Sequence, residues 1–133
     1  MRYSKGYKYR LERDELFILG PTFRFSKPIV TDYIELRDCT LLVREGYSWD
    51  GASGPTRDTK NAMRGPLCHD ALYQLMREGH VDYHLWKQAD EELYKCLKKD
   101  GMSSFRVWYW KKGLRSAKGK HARPKNKKIY TAP

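Results

Sequence analysis

A chain of 133 residues with 32% charged, 40% hydrophobic and 14% aromatic side chains has the size and balance of one folded domain, too small to divide sensibly into two, which excludes a disordered chain. No apolar run approaches the ~20 residues that span a bilayer, and the opening MRYSKGYKYRLERDE lacks the apolar stretch of a secretory signal, so the expected place is the cytoplasm in which the chain is made. Of the net charge of +11, nine cations and no acid fall from Lys111 onward, which leaves residues 1–110 at only +2 and sets a basic tail, expected over residues 115–133, against a nearly neutral folded part.

The front of the chain, residues 1–45, reads as strands. Tyr7, Tyr9 and Leu11 alternate with polar residues, TDYIEL and TLLVRE are apolar and β-branched runs, and Gly20-Pro21 and Ser26-Lys27-Pro28 punctuate them. A small antiparallel meander is expected. Residues 46–62, GYSWDGASGPTRDTKNA, read as a loop: either a plain strand-to-helix connector or one whose glycines let backbone approach a ligand closely.

From residue 63 to 114 the pattern turns helical. A first helix is expected from about Pro66 to Glu78, with proline in its first turn and Gly79 at its stop. A second, from about Asp82 to Lys99, has Asp82 as cap, Lys98 and Lys99 in its last turn and Gly101 beyond. The third, from about Ser103 to Leu114, carries FRVWYW and is expected to pack across the other two. The fold class is therefore α+β, a single domain over residues 1–114 in which the meander precedes a three-helix core. Cys39, Cys68 and Cys96 fit neither a CxxC nor a Cys/His zinc spacing and are read as reduced, mostly buried thiols.

On the second helix Trp86, Asp90, Leu93 and Leu97 fall at spacings of 4, 3 and 4, so Asp90 interrupts an apolar stripe. A carboxylate there needs a partner. On the first helix His69 and Tyr73 are four apart and share a face, with Asp70 turned about 100° aside. A short link over Gly79-His80-Val81 makes the two helices an antiparallel hairpin, and counting back and forward from it brings His69 and Asp90 to one level. Tyr73 is then placed to donate its hydroxyl to the same carboxylate. Such a pair is a general-base device, because Asp90 would fix the imidazole tautomer and leave the other ring nitrogen to take a proton. It is equally a satisfied polar network inside a hairpin. Asp70 faces the glycine-rich loop, where Asp50 and backbone carbonyls could complete an oxygen-rich site suited to calcium. His80, His84 and His121 lack such company and read as surface residues.

These residues carry a resemblance. GYSWDGASGP, CHDALY and ADEELY occur in order and resemble a phage- and prophage-associated family of unknown function, whose pattern is a Gly-aromatic-x-x-Asp-x-Ala-Ser-x-Pro loop, then His-Asp-x-Leu-Tyr, then Ala-Asp before an aromatic. The last two blocks are also similar to phospholipase A2 of the compact bacterial and fungal kind. That resemblance implies a phospholipase A2-like helical core with His69 as base, Asp90 as its orienter, and Asp50, the Gly51 carbonyl and Asp70 as calcium ligands. The paired cysteines that flank the phospholipase motif are missing here, where Cys68 stands alone and Ala71 and Leu72 follow the His-Asp.

Three functions follow as expectations. One is a calcium-dependent lipid or ester hydrolase made in the host cytoplasm and acting on phospholipid at the host membrane. Another is a structural or assembly component of a phage particle, bound to other phage structural proteins and keeping the pair for stability. The third is a binder of nucleic acid or of a host protein through the basic tail.

Overall fold

The computed structural model describes residues 3–5, 9–49 and 63–124. The fold is α+β, and among the described residues seven short strands precede three α-helices of fourteen residues each. The strands are β1 (Tyr3–Lys5), β2 (Tyr9–Leu11), β3 (Glu15–Ile18), β4 (Ile29–Val30), β5 (Ile34–Arg37), β6 (Thr40–Val43) and β7 (Ser48–Trp49). The helices are α1 (Arg64–Arg77), α2 (Trp86–Lys99) and α3 (Ser104–Ala117).

The expected meander is present only in part. β4, β5 and β6 run up and down as consecutive antiparallel neighbours, but β3 closes on the free edge of β6, giving the order β3-β6-β5-β4. Pairing Glu15 with Val43 and Ile18 with Thr40 buries Phe17 on the face that also buries Leu41 and Val43. The β5–β6 hairpin turns in two residues, Asp38 and Cys39, both in the left-handed region (φ 45° and 67°), as a turn matching the twist of its strands requires. A second sheet, ordered β1-β2-β7, recruits residues expected to be loop: β7 pairs with β2 because Tyr47 and Trp49 alternate inward, 5% and 2% exposed. The rest of the expected loop, residues 50–62, lies outside the described residues.

Helix α1 is the centre of the molecule. Ten of its fourteen residues are buried, with Leu67, Leu72, Leu75 and Met76 fully enclosed by sheet residues such as Leu11, Leu41 and Trp49 and by the second helix. Each such side chain contributes about 1.5–3 kcal/mol. Arg64 ties this helix to both neighbours, bonding Glu15 at 3.1 Å and Asp100 at 3.2 Å while its guanidinium lies 5.2 Å from the Phe17 ring centre.

The ends of α1 and α2 follow the same rule. Gly79 and Gly101 take φ of +80° and +95°, and the residue after each glycine bonds back to the helix, His80 to the Leu75 carbonyl and Met102 to that of Leu97, both at 2.9 Å. Asp82, expected to cap the second helix, instead caps a 3-10 turn over Tyr83–Leu85 that precedes it, accepting from the His84 N–H. Ser103 caps α3 through the Arg106 N–H.

The basic tail begins later than expected. α3 continues to Ala117, and the chain then folds back through a 3-10 turn, Lys120–Ala122, which packs on α1. Ala122 is fully buried and the His121 carbonyl accepts from Arg77 at 3.1 Å. An alanine small enough to enter the core anchors this segment among its charged neighbours, and residues 125–133 lie outside the described set.

Candidate functional site

Helices α1 and α2 pack as the antiparallel hairpin that the short link dictates. They approach closely at Gly65, where a Cβ would come within 2.8 Å of Leu93 Cδ1 and 3.3 Å of the Leu93 carbonyl oxygen. This approach sets the level at which α1 and α2 side chains meet. His69 Nε2 lies 2.6 Å from Asp90 Oδ1, and the Tyr73 hydroxyl donates to that same oxygen at 2.6 Å. Trp86 is half-buried and Asp90, Leu93 and Leu97 are buried, so the carboxylate does sit on the inward stripe.

An ionised carboxylate only accepts, so the hydrogen between His69 and Asp90 resides on Nε2. That leaves Nδ1 as the basic nitrogen, and among the described residues none is hydrogen-bonded to it. The two rings stack obliquely, 4.0 Å between centres and 38° between planes, which restrains the imidazole further. At 2.6 Å both contacts are in the range of charge-assisted bonds, roughly twice as strong as neutral ones. Burial, and then the bond to Asp90, push the Tyr73 phenol well above its ordinary value, so it remains a donor.

His69, Asp70 and Tyr73 line a cleft of about 280 Å³ whose other wall is Trp110 and Leu114 of α3. Arg77 and Lys120 supply its cations. The indole Nε1–H of Trp110 is buried and, among the described residues, has no hydrogen-bond partner. An orphaned buried donor costs about 1–3 kcal/mol. Trp110 did not emerge from the sequence, although Val107, Trp110 and Leu114 at spacings of 3 and 4 mark the inward face of the third helix.

Asp70 lines the cleft beside His69 and is half-buried. Asp50 and Gly51, the other expected calcium ligands, lie outside the described residues. Among the described residues no three His, Cys, Asp or Glu side chains converge as a metal site.

Glu92 is buried and accepts the Gly20 N–H at 2.8 Å, tying α2 to the sheet side; no sequence signal announces a partner 72 positions away. His84, expected to stand alone, pairs with Asp82 at 2.9 Å, while His80 and His121 are exposed as expected. No described helix is long and apolar enough to cross a membrane. The chain matches no family model, no curated protein and no solved structure.

The thiols add a pH dependence. Cys39 and Cys68 are buried and Cys96 half-buried. Burial raises the Cys68 thiol well above its ordinary value, and burial with Asp100 nearby pushes Cys96 up to about 12. Burial raises the Tyr94 phenol too. In each case the folded chain holds a proton that the unfolded chain releases, from about pH 9 for thiols and pH 10 for phenols. Stability is therefore unaffected below pH 9 and falls as pH rises beyond it, by up to about 1.4 kcal/mol per pH unit for each such group. Urea midpoints should be level from pH 7 to 8.5 and drop above 9, with a shallower drop between 9 and 10 in Cys96→Ala. A level midpoint up to pH 11 would refute the burial of these groups.

Proposed function

We propose that this chain is a His–Asp ester hydrolase of phospholipase A2 type. The observation that carries this reading is the Asp90 carboxylate, buried and accepting from both His69 Nε2 and Tyr73, beside a cleft to which the same histidine contributes. In the reaction, water held at His69 Nδ1 gives up a proton to it as the oxygen attacks the ester carbonyl carbon. The carbonyl oxygen gathers negative charge, which the cations lining the cleft, Arg77 and Lys120, would offset. The ester C–O bond then breaks and the imidazolium returns its proton to the departing alkoxide. Asp90 steadies the imidazolium in between.

The cleft suits an ester flanked by an apolar chain and an anion, since Leu93, Trp110 and Leu114 line it together with Arg77 and Lys120. Lipid esters have that character. Use by a phage against host membrane lipid rests on the three sequence blocks alone. Calcium belongs to the proposal through Asp70, with Asp50 and the Gly51 carbonyl as its partners. When bound, it would polarise the ester carbonyl.

The test is release of fatty acid from phospholipid vesicles in millimolar calcium. The wild type is expected to release it and His69→Ala to release none above background; equal release by both, or none by either, refutes the reading. Calcium at about 100 times its Kd is expected to add about 2.7 kcal/mol to the stability of the wild type. Asp70→Asn should lose that increment. A calcium-independent thermal midpoint in the wild type would remove calcium from the proposal.

A second reading draws on the burial of His69, which is 7% exposed and satisfied by Asp90 in the way a purely structural network would be. As an assembly component of a phage particle the chain would be found in purified virions by mass spectrometry. Absence from virions would refute this second reading.

A further inference from the structure

The outer face of α3 is unlike the rest of the surface. Phe105, Trp108 and Tyr109 are 72%, 51% and 43% exposed and, at helical spacing, stand with Lys112 on a single stripe opposite the buried Val107 and the cleft wall of Trp110 and Leu114. The Phe105 and Trp108 rings are 6.0 Å apart, and the Lys112 ammonium lies 4.8 Å from the Trp108 ring centre. Beside the stripe runs a shallow groove of about 560 Å³ between α2 and α3, floored by Tyr94, Val107 and Trp108 and edged by Lys95, Lys98 and Lys111. Glu91 is the one acid on it. From residue 101 to 124 the sequence has seven cations and no acid.

We propose that this face docks on an anionic lipid bilayer, with the three aromatic rings in the headgroup layer and the flanking lysines on lipid phosphates. Exposed aromatics are costly in water unless a surface covers them. Protein interfaces favour aromatics but disfavour lysine, so the combination of both on an acid-free helix face fits the boundary of an anionic bilayer better than a protein partner. Single-stranded nucleic acid also takes aromatics with cations, but it stacks successive bases in grooves that track the strand, whereas of these three rings only Trp108 borders the groove and Phe105 and Tyr109 stand outside it on the convex ridge of the helix. Tyrosine and tryptophan at the headgroup level with lysine beside them is the arrangement that bilayer boundaries select. Docked this way, α3 would turn its outer face to lipid and keep its inner face as the cleft wall. The proposal stands on surface composition and does not require that His69 hydrolyse anything.

The experiment separates the two. Co-sedimentation is measured with vesicles of ether-linked phosphatidylcholine, which carries no hydrolysable acyl ester, with and without 30% ether-linked phosphatidylglycerol. At 50 mM salt the chain is expected to bind the anionic vesicles at least tenfold more tightly than the neutral ones, and to lose most of that preference at 500 mM salt. Phe105→Ser with Trp108→Ser, and separately Lys111→Gln with Lys112→Gln, should each weaken binding about tenfold while the thermal midpoint moves by only a few degrees, since Phe105, Trp108 and Lys112 are exposed and Lys111 is half-buried with its ammonium 5.0 Å from the Tyr94 ring centre. Equal binding to both vesicle types, or variants that bind as the wild type does, would overturn the proposal. So would tighter binding to a single-stranded oligonucleotide than to the anionic vesicles, which would make the face a nucleic-acid surface. Failure of ester hydrolysis leaves this result untouched.

Discussion

Asp90→Ala is expected to cost about 3–5 kcal/mol of stability and to abolish hydrolysis, whereas Asp90→Asn should abolish hydrolysis at a much smaller cost in stability. The difference lies in what each change leaves behind. Alanine strands two donors, the Tyr73 hydroxyl and His69 Nε2–H, inside a hairpin where Asp90 is 3% exposed, and an unsatisfied buried donor costs about 1–3 kcal/mol. Against the ~5–15 kcal/mol that a domain of this kind has in total, the loss is severe. Asparagine keeps the volume and one acceptor oxygen, so the network is weakened without being emptied. It cannot, however, stabilise an imidazolium as a carboxylate does, and a correctly held general base is worth about 10²–10⁴ in rate. Tyr73→Phe completes the set: it removes one donor, and an expected cost of about 1–2 kcal/mol comes with His69 still oriented. Urea unfolding and fatty-acid release measured on all three variants decide the matter. If Asp90→Ala unfolds within 1 kcal/mol of the wild type, the buried network is not what holds the hairpin in register.

The pair was legible in the sequence because two regularities point at it together. A helical stripe of Trp86, Leu93 and Leu97 marks Asp90 as inward, and a three-residue link makes antiparallel counting reach His69 from the other side. Both depend on local geometry alone. Helix ends were readable within a few residues for the same reason, since Gly79, Gly101 and Ser103 terminate or cap by their own backbone chemistry.

What was not legible needs contacts between distant segments. Placing β3 beside β6 depends on which strand edge is free after the hairpin closes, and nothing in the sequence of Glu15–Ile18 states it. The inward alternation of Tyr47 and Trp49 was present but hidden by the glycines and proline that follow. Asp82 looked like an α-helical cap because the code is the same for a 3-10 turn. The charge of residues 118–124 places them in the basic tail, and the decisive residues there, Gly119 and Ala122, matter for their smallness, which composition does not reveal.

That smallness makes Gly119 the most exacting position outside the His–Asp pair. It follows Lys118, itself left-handed at φ +48°, and has φ +69°; a Cβ there would lie 2.3 Å from Trp86 Cγ and 2.7 Å from Trp86 Cβ. Rotating the indole could relieve the first contact but not the second, because Cβ is fixed to the α2 backbone. Gly119→Ala must therefore shift backbone as well as bear the left-handed conformation, which alone costs roughly 1–2 kcal/mol, for a total of about 3 kcal/mol. Gly113 provides the control. It lies within α3 with nothing within 4 Å of its would-be Cβ, so alanine there should gain up to about 1 kcal/mol of helix propensity. Two alanines six residues apart are thus expected to move the thermal midpoint in opposite directions, by roughly 10 °C downward at 119 and a few degrees upward at 113. The loss at 119 need not unfold the whole domain. Residues 118–124 are held by the Ala122 contact, the Gly119–Trp86 packing and the bond from Arg77 to the His121 carbonyl, and forcing the second apart weakens the others. Limited proteolysis of Gly119→Ala should then cut within 118–124 before it cuts α1 or α2. Because Lys120 and His121 line the cleft, release of this segment would also remove one side of the site beside His69, lowering lipid hydrolysis while His69 and Asp90 remain paired.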